Sequence, residues 1–432
     1  LVAVASSEFL LALNGEGNTL FFTFINTIER VIEVASSPGN SRILIFSVLI
    51  GALLAYIRES GGVAATVNLL MNKGVAKSKR QVGYLTMFSG IAVFIESNLS
   101  VLTSGILSRG LFDKFKMSRA RLAYIIDSTS APVCILILLN GWGAYVLGLL
   151  GNYEMEESAV SVLWGSIGYN FYAIIALLIV FYTITFDKVH GPLKQAEENF
   201  EQQETELAEE VKGSKARYML VPLITLIGSM VGFMFWTGDG DIASGSGSKS
   251  VLYATILACV VAYFLMISSR EFTHHKLVDI GFKGMGELLP LVSIVLLSLT
   301  LGASLKDLGT GVFVAGLVGD FLPIYLVVPV LFLTGAVISF TTGTSWGTFA
   351  ILIPIGVPLI QALGLPPSLV IAAILGGGVF GDHCSPISDT SAVSAIASGC
   401  DLLTHVKTQM PYALFGGALT FIAYLVTSII VL

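Results

Sequence analysis

Four acidic residues stand where long apolar segments are interrupted: Glu96, Asp127, Asp382 and Asp389. An acid inside a membrane-spanning segment is costly, so its first interpretation is functional. Burial favours the protonated form of a carboxyl group and a bound cation favours the charged form, so one buried carboxylate can exchange a proton for a cation. Helix capping is the alternative for the three aspartates, because Asp is a good N-cap residue.

Oxygen-bearing side chains surround these acids in the sequence. Sodium prefers carboxylate, carbonyl and hydroxyl oxygens, whereas thiol and imidazole suit softer metals. The predicted sodium-binding residues are Ser97, Asn98, Asp127, Ser128, Thr129, Thr342, Thr344, Ser345, Ser385 and Asp389. The residues predicted to couple protons or to contact a solute are Glu96, Asp382 and His383.

His383 enters this group because imidazole titrates near neutral pH, although a hydrogen bond that only shapes the loop explains it equally well. The four cysteines lack CxxC spacing, which argues against a zinc site and a disulfide framework. We therefore expect no cofactor and no transition metal, with sodium as the coupling ion.

The elements that must position these residues are apolar segments of about 20 residues, long enough to cross a bilayer. Only 12% of the 432 residues are charged, against about 25% in a typical soluble domain. The alternating pattern of an outer-membrane barrel is absent, so helices must satisfy the backbone in lipid. This composition excludes a soluble enzyme, a nucleic-acid binder and a disordered chain. It predicts an all-α polytopic membrane protein. Because the chain begins without Met inside an apolar run, we expect that further residues precede Leu1.

The apolar block 82–108 has basic residues before it, in 73–80, and after it, in 109–121. Positive charge marks cytoplasmic loops, so both ends of the block are expected on one side of the membrane. Each arm of roughly 13 residues rises about 20 Å, less than the ~30 Å core of a bilayer. The pattern predicts a re-entrant hairpin with 96–98 at its tip.

The second half repeats this order. A polar break at 341–348 is followed by another at 380–390, which is similar to 126–132 because each has an Asp followed four or five residues later by Pro. The first connector, 109–121, holds five basic residues, and its counterpart 355–369 holds none. This charge difference predicts an inverted repeat with two re-entrant hairpins and two unwound transmembrane helices, plus a scaffold domain.

The predicted division of the chain follows these units. It runs from N-terminal scaffold helices (1–81) through the first repeat (82–150), a transmembrane helix (151–186), a charged cytoplasmic linker (187–217), scaffold helices of the second half (218–320) and the second repeat (321–400) to a C-terminal transmembrane helix (401–432).

Three runs resemble the NhaC-type sodium/proton antiporter family: Gly-Thr-Ser-Trp-Gly-Thr at 343–348, Phe-Gly-Asp-His-Cys-Ser-Pro-Ile-Ser-Asp-Thr at 380–390 and Ala-Tyr-Ile-Ile-Asp-Ser-Thr-Ser-Ala-Pro at 123–132. His405-Val and Thr408-Gln-Met-Pro411 fit the same pattern, and the similarity spans about 41–430. The family belongs to the ion transporter superfamily. The resemblance implies inverted repeats on a scaffold that often dimerises, so a homodimer is expected.

The chain departs from the family at the first hairpin tip. Many relatives carry two consecutive acids there, whereas 94–100 reads Phe-Ile-Glu-Ser-Asn-Leu-Ser and keeps one, Glu96. The missing acid weakens the case for proton exchange and leaves room for an organic solute. The resemblance includes carriers of carboxylates and amino acids.

The predicted function is sodium-coupled secondary active transport, most simply Na⁺/H⁺ antiport by alternating access, in a multi-pass protein of a prokaryotic inner membrane. The expected partners are sodium, protons and the lipid bilayer, with no nucleic acid. The alternative on the same fold is sodium-driven symport or exchange of an amino acid or small carboxylate.

Two other classes fit the sequence less well. An intramembrane aspartyl protease would use Gly-Asp-Gly-Asp at 238–241 with Asp127, but that run lies in a polar loop. A passive channel is disfavoured because the breaks fall on two sequence-related units, as in carriers.

Overall fold

The computed structural model describes residues 2–13, 19–62, 65–66, 77–94, 96–199, 215–242, 245–310, 313, 316 and 322–432. Throughout these ranges the regular secondary structure is helical, and nine of the helices are long and apolar enough to cross a membrane. The predicted all-α polytopic fold is therefore confirmed. Most of the acidic run in the predicted linker, at 200–214, lies outside the described residues, as do 67–76 and 317–320 of the predicted scaffold segments and residue 321 of the predicted second repeat.

The first half of the chain contains α1 Val2–Leu13, α2 Thr19–Ser36, α3 Pro38–Glu59, α4 Lys79–Ala92, α5 Ser97–Lys114, α6 Arg119–Ser128, α7 Ala131–Cys134, α8 Gly141–Leu150, α9 Ala159–Ser166, α10 Phe171–Thr185 and α11 Gly191–Glu198. The second half contains α12 Arg217–Thr237, α13 Gly247–Ser268, α14 His274–Asp307, α15 Ile324–Thr342, α16 Ser345–Leu363, α17 Pro367–Cys384, α18 Asp389–Ser398 and α19 Leu402–Val431.

One group of helices consists of α1, α2, α3, α12, α13 and α14, and we call it the scaffold group. Within it α3 packs against α13 and α14, and α12 packs against α13. Arg58 at the end of α3 forms a two-pronged ion pair with Glu287 of α14, at 2.8 and 2.9 Å. The buried Glu8 of α1 accepts a hydrogen bond from Arg30 of α2 at 3.1 Å. These pairs fix the scaffold helices to one another.

The helices α4 and α5 form an antiparallel hairpin, as the block 82–108 predicts. The Thr86 hydroxyl donates to Ser108 at 2.7 Å, and the Ser89 hydroxyl donates to Ser104 at 3.1 Å. From the first pair to the second, the residue number increases along α4 and decreases along α5, so the two arms run in opposite directions. These polar bonds hold the two arms of the hairpin together.

A second hairpin consists of α15 and α16, which join at Gly343. This glycine has a left-handed φ of 68°, and Thr344 is the N-cap of α16. Each hairpin is followed by a broken helix: α6 ends at Ser128 before α7, and α17 ends at Cys384 before α18. Helix, tip, helix and break thus occur in the same order in both halves. Their opposite orientation in a membrane stays a prediction.

The basic connector 109–121, which includes the end of α5 and the start of α6, contacts the second half of the chain. Arg109 donates to the carbonyl oxygens of Ile396 and Ala397 at 2.6 and 3.0 Å, and Arg119 donates to that of Ser398 at 2.8 Å. The last carbonyls of a helix have no partner within the helix, and cationic side chains stabilise them. The two arginines therefore tie the end of α18 to the first hairpin unit.

Candidate functional site

A cavity of about 390 Å³ lies where the two hairpin tips and the second broken helix face the scaffold group. The hairpin tips and the broken helix contribute Glu96, Ser97, Asn98, Thr342, Gly343, Thr344, Ser345, Trp346, Asp382, Asp389 and Thr390. The scaffold contributes Phe46, Ser47, Ile50, Leu54, Glu287, Leu288, Pro290 and Ile294, and α8 contributes Gly141 and Trp142.

Glu96 occupies the first hairpin tip as the N-cap residue of α5. Its carboxylate accepts a hydrogen bond from the backbone N–H of Leu99 at 2.6 Å. The positive end of the helix dipole and this N–H group stabilise a negative charge at that position. Glu96 therefore has a structural role as a cap while it also lines the cavity.

Asp382 lies in the last turn of α17 and is 1% exposed. Its Oδ2 atom accepts a hydrogen bond from the Thr390 hydroxyl at 2.8 Å, and within the described part of the chain its Oδ1 atom has no hydrogen-bond partner. Buried polar atoms are nearly always paired in proteins. A half-paired buried carboxylate on a cavity wall is therefore available to a cation or a proton.

Asp389 begins α18 and is exposed to the cavity. The N-cap of this helix is Ser388, whose side chain accepts a hydrogen bond from the backbone of Ser391, so the capping alternative does not require Asp389. The side chain of Asn98, on the first hairpin, lies close to the Asp389 carboxylate on the same cavity. Asp389 thus joins the broken helix to the first hairpin.

Asp127 lies apart from the cavity lining, fully buried near the end of α6. Its Oδ2 atom accepts hydrogen bonds from His405 at 3.2 Å and Gln409 at 2.6 Å, both on α19. Gln409 also donates to the carbonyl oxygen of His383 at 3.1 Å, and the His383 ring bonds to the Tyr172 hydroxyl at 3.0 Å. These five residues form a buried polar network, which we call the α19 network.

Three other predicted sodium-binding residues also lie outside the cavity lining. The Thr129 hydroxyl donates to the carbonyl of Ile125 at 2.7 Å, and the Ser385 hydroxyl donates to that of Phe340 at 2.8 Å. Ser128 is buried beside the α19 network. The hydroxyl of Thr129 thus bonds back to its own helix α6 and that of Ser385 bonds to the hairpin helix α15, and a sodium-binding role for these residues stays a prediction.

The structure brings together eight of the predicted residues around the cavity: Ser97, Asn98, Thr342, Thr344, Ser345, Asp389, Glu96 and Asp382. The other five are buried and do not line the cavity: Asp127, Ser128, Thr129, Ser385 and His383. The division has a simple cause, because α19 covers the end of α6 and buries that side of both broken helices.

Sequence reasoning missed several polar residues of this region. His405 and Gln409 are four positions apart inside the apolar α19, so they share one face of it, and that spacing is a usable signal. Glu287 is an acid within a predicted membrane segment and deserves the same functional interpretation as the other four. No local signal marks Trp142 or Tyr172, since only tertiary packing brings them to the site.

The described residues contain no cluster of three or more His, Cys, Asp or Glu side chains arranged to hold a metal ion. The residues of the protease motif are also apart, because Asp241 is exposed in the loop after α12 and Asp127 is buried. A sodium site in this cavity would use amide, hydroxyl and backbone oxygens beside its carboxylates.

A protein of Haemophilus influenzae that is described only as uncharacterized is 30% identical over 433 residues, with 95% of this chain and 83% of that protein covered. The malate-2H⁺/Na⁺-lactate antiporter of Bacillus subtilis is 37% identical over 98 residues, which are 22% of this chain and 19% of that one. The YdaH transporter of Alcanivorax borkumensis has a similar fold, with a TM-score of 0.60 at 13% identity, covering 95% of this chain and 89% of that chain.

The model of the Na⁺/H⁺ antiporter family matches residues 133–429, which include the second hairpin, the second broken helix and α19. The match covers more than half of the chain, and nine of the described helices are long and apolar enough to span a membrane. The chain is therefore a multi-pass membrane transporter that belongs to the Na⁺/H⁺ antiporter family.

Proposed function

We propose that this transporter couples sodium to protons across a prokaryotic inner membrane and that it works as a Na⁺/H⁺ antiporter. The observation that supports this proposal is the meeting of Asp382, Asp389 and Asn98 at the cavity. The Oδ1 atoms of Asp382 and Asn98 have no hydrogen-bond partner among the described residues. Such oxygens are suitable ligands for an alkali cation.

Competition at these carboxylates would couple the two ions. When sodium binds, the carboxylates must be charged, and when sodium leaves, a proton can neutralise a buried carboxylate that would otherwise remain an unpaired charge. Asp382 and Asp389 interact electrostatically with each other, so both are difficult to keep charged without a cation. One site can therefore hold sodium or a proton in turn.

The α19 network has a supporting role in this proposal. Asp127 interacts electrostatically with both Asp382 and Asp389 from behind the cavity wall. Its Oδ2 atom accepts hydrogen bonds from His405 and Gln409, and Asp127 does not line the cavity. We therefore assign Asp127 to the charge balance of the site and place the bound sodium at Asp382 and Asp389.

The position of the cavity between two groups of helices supports our proposal of alternating access. One wall belongs to the hairpin tips and the broken helix α17–α18, and the other belongs to α3 and α14 of the scaffold group. Movement of the hairpins relative to the scaffold would expose the cavity to each side in turn. The homodimer stays a prediction from the family resemblance.

Flux through purified protein in proteoliposomes tests the proposal. A pulse of NaCl outside vesicles that contain a pH-sensitive dye should raise the internal pH, because sodium enters as protons leave. KCl and choline chloride are the controls for osmotic and chloride effects. The absence of a pH change at all internal pH values between 6 and 9, in vesicles where the protein is folded, would contradict Na⁺/H⁺ antiport.

The cavity volume favours a second function beside the first. At about 390 Å³ it lies in the range of about 300–1,000 Å³ that is typical of small-molecule pockets. A single sodium ion with its oxygen ligands needs much less space. An organic solute that moves with sodium or in exchange for it is therefore the alternative.

A further inference from the structure

We propose that the cavity binds a neutral α-amino acid with an apolar side chain, with its ammonium group at Asp382 and Asp389 and its carboxylate at the start of α16. The proposal rests on the proposed sodium-coupled transport through this cavity, in the form of exchange, because the ammonium group and sodium would occupy Asp382 and Asp389 in turn. It goes beyond that function because it names the solute class and gives each part of the solute a contact.

The ammonium end is indicated by the carboxylates. Asp382 is 99% buried, and its Oδ1 atom has no hydrogen-bond partner within the described ranges although the residue lines the cavity. Asp389 is exposed to the same space. The other two acids of the lining are already engaged, since Glu287 is paired with Arg58 and Glu96 caps α5. Asp382 and Asp389 are thus the carboxylates available to a cationic group.

The carboxylate end is indicated by an asymmetry between the two hairpin tips. The start of α5 already holds a carboxylate, that of Glu96, at 2.6 Å from the N–H of Leu99. The start of α16 has only the neutral hydroxyl of Thr344, at 3.4 Å from the N–H of Gly347. The first N–H groups of a helix are favourable partners for an anion. At the first hairpin tip the protein's own Glu96 supplies the carboxylate. At the second hairpin tip, a carboxylate of the solute can bind to the first N–H groups of α16.

A second donor lies on the same cavity wall. Trp142 is 2% exposed, and its indole Nε1 has no hydrogen-bond partner among the described residues. Its ring packs edge-on against Trp346, the second residue of α16, at a centroid distance of 5.7 Å. Buried indole N–H groups usually find an acceptor. A solute carboxylate at the start of α16 would supply one.

The remaining wall is apolar and belongs to the scaffold. It consists of side chains from α3 and α14, including Phe46, Ile50, Leu54 and Ile294. The described lining contains no Lys, Arg or His, so a dicarboxylate would find no cationic partner in it. An apolar side chain of the solute fits this wall. The solute therefore has three parts: an ammonium group, a carboxylate and an apolar side chain.

Three related probes test the assignment on the wild-type protein. Binding of radiolabelled L-phenylalanine to the purified transporter is measured in choline chloride, where no sodium competes for Asp382 and Asp389, with unlabelled phenethylamine and 3-phenylpropionate as competitors. The first analogue lacks the carboxylate and the second lacks the ammonium group. We expect L-phenylalanine or L-leucine to bind, and each analogue to compete at least tenfold more weakly because each loses one charged contact. Equal competition by 3-phenylpropionate, or binding of malate in preference to the amino acids, would overturn the proposal.

A matched pair of tryptophan variants tests the donor. Trp142→Phe removes the N–H group and keeps an aromatic ring, and we expect it to weaken amino-acid binding by roughly tenfold. Trp164→Phe is the control, because Trp164 is exposed on α9 and away from the cavity. Unchanged binding by Trp142→Phe would show that the Trp142 N–H group does not bind the solute.

The two proposals fail in different ways. If sodium pulses move protons and none of the amino acids binds or changes the flux, the antiport proposal stands and the amino-acid site is wrong. If amino acids bind equally well in NaCl and in choline chloride and no sodium pulse moves protons, the amino-acid site stands and sodium coupling is wrong.

Discussion

Each acid of the site has different neighbours, and these neighbours separate the roles. Glu96 caps the start of α5, Asp382 has one paired and one unpaired oxygen, and Asp389 faces the open cavity. Asp127 is held by two donors from α19. A bound cation is thus expected at Asp382 and Asp389, the two carboxylates of the broken helix that line the cavity, whereas Asp127 does not line it.

Asp382→Asn removes the charge of the half-paired carboxylate but keeps an oxygen that can accept from Thr390. We expect sodium-driven proton flux to fall at least tenfold, because a neutral amide can neither exchange a proton nor balance sodium. Flux in proteoliposomes measures this, and Asp401→Asn, an exposed N-cap on α19, is the matched control that should leave flux unchanged. Full flux in Asp382→Asn would exclude Asp382 as a coupling group.

Gln409→Leu removes the 2.6 Å hydrogen bond to Asp127. Because the acceptor is a buried charge, we expect the free energy of unfolding to fall by about 1.5–3 kcal/mol. Thermal unfolding in detergent measures the change, with Gln361→Leu as the control, since Gln361 is an exposed residue whose side chain donates only to a backbone carbonyl. Equal losses in the two variants would show that the α19 network adds no stability of its own.

At this scale the sequence predicted three of the four acids that line the cavity, Glu96, Asp382 and Asp389, because an acid at a break in an apolar block is conspicuous, and it did not predict Glu287. It did not predict the α19 network, because the bonds of Asp127 depend on which face α19 turns toward α6. Nor did it separate Asp127 from the cavity. A hydropathy pattern indicates which residues lie deep in the membrane. It does not indicate which way a side chain points at a helix break.

Among the elements, the second hairpin tip depends on one backbone conformation. A Cβ atom on Gly343 would lie 2.5 Å from the carbonyl oxygen of Ile387, in the break between α17 and α18. The tip therefore packs directly on the broken helix. This contact places the start of α16 and Asp389 on the same cavity.

Gly343→Ala should abolish transport and lower the free energy of unfolding by more than about 2 kcal/mol, because left-handed strain adds to a steric overlap. Gly364→Ala is a close control, since Gly364 has a similar φ of 65° and nothing within 4 Å of an added Cβ. It should cost only the strain, about 1 kcal/mol. Similar effects of the two substitutions on flux and unfolding would show that the contact with Ile387 is unimportant.

Arg119→Lys tests the link between the first hairpin unit and α18. Arg119 binds both oxygens of Asp113, at 2.7 and 2.6 Å, and also the carbonyl of Ser398. Lysine keeps the charge but not this planar geometry, so we expect a loss of about 1–3 kcal/mol in unfolding free energy. Lys114→Ala, at an exposed position of the same connector, should be neutral in thermal unfolding. A neutral Arg119→Lys would mean that charge alone maintains the link.

The order of helices, tips and breaks was largely visible in the sequence, because each polar break interrupts a long apolar run. The basic connector was also visible in the sequence, but the contacts that its two arginines make were not. Charge counts indicate the side of a membrane, and they do not show that Arg109 and Arg119 bond to the last carbonyls of α18.

On the scale of the whole molecule, the cavity exists only where the scaffold group meets the two hairpins. Composition and apolar run lengths were enough to predict an all-α membrane protein. The apolar wall from α3 and α14, and the pairing of Glu287 with Arg58, involve residues more than 200 positions apart. Such contacts leave no local pattern, so the shape of the cavity and its apolar side were not predicted.

Proton release on sodium binding tests the central claim, that sodium and protons compete for the cavity carboxylates. NaCl is added to purified protein in a very weak buffer, and the pH is followed with an indicator dye. We predict a saturable release of protons with NaCl but not with choline chloride, and its loss in Asp382→Asn. Sodium binding that saturates without proton release at any pH between 6 and 9 would contradict the account.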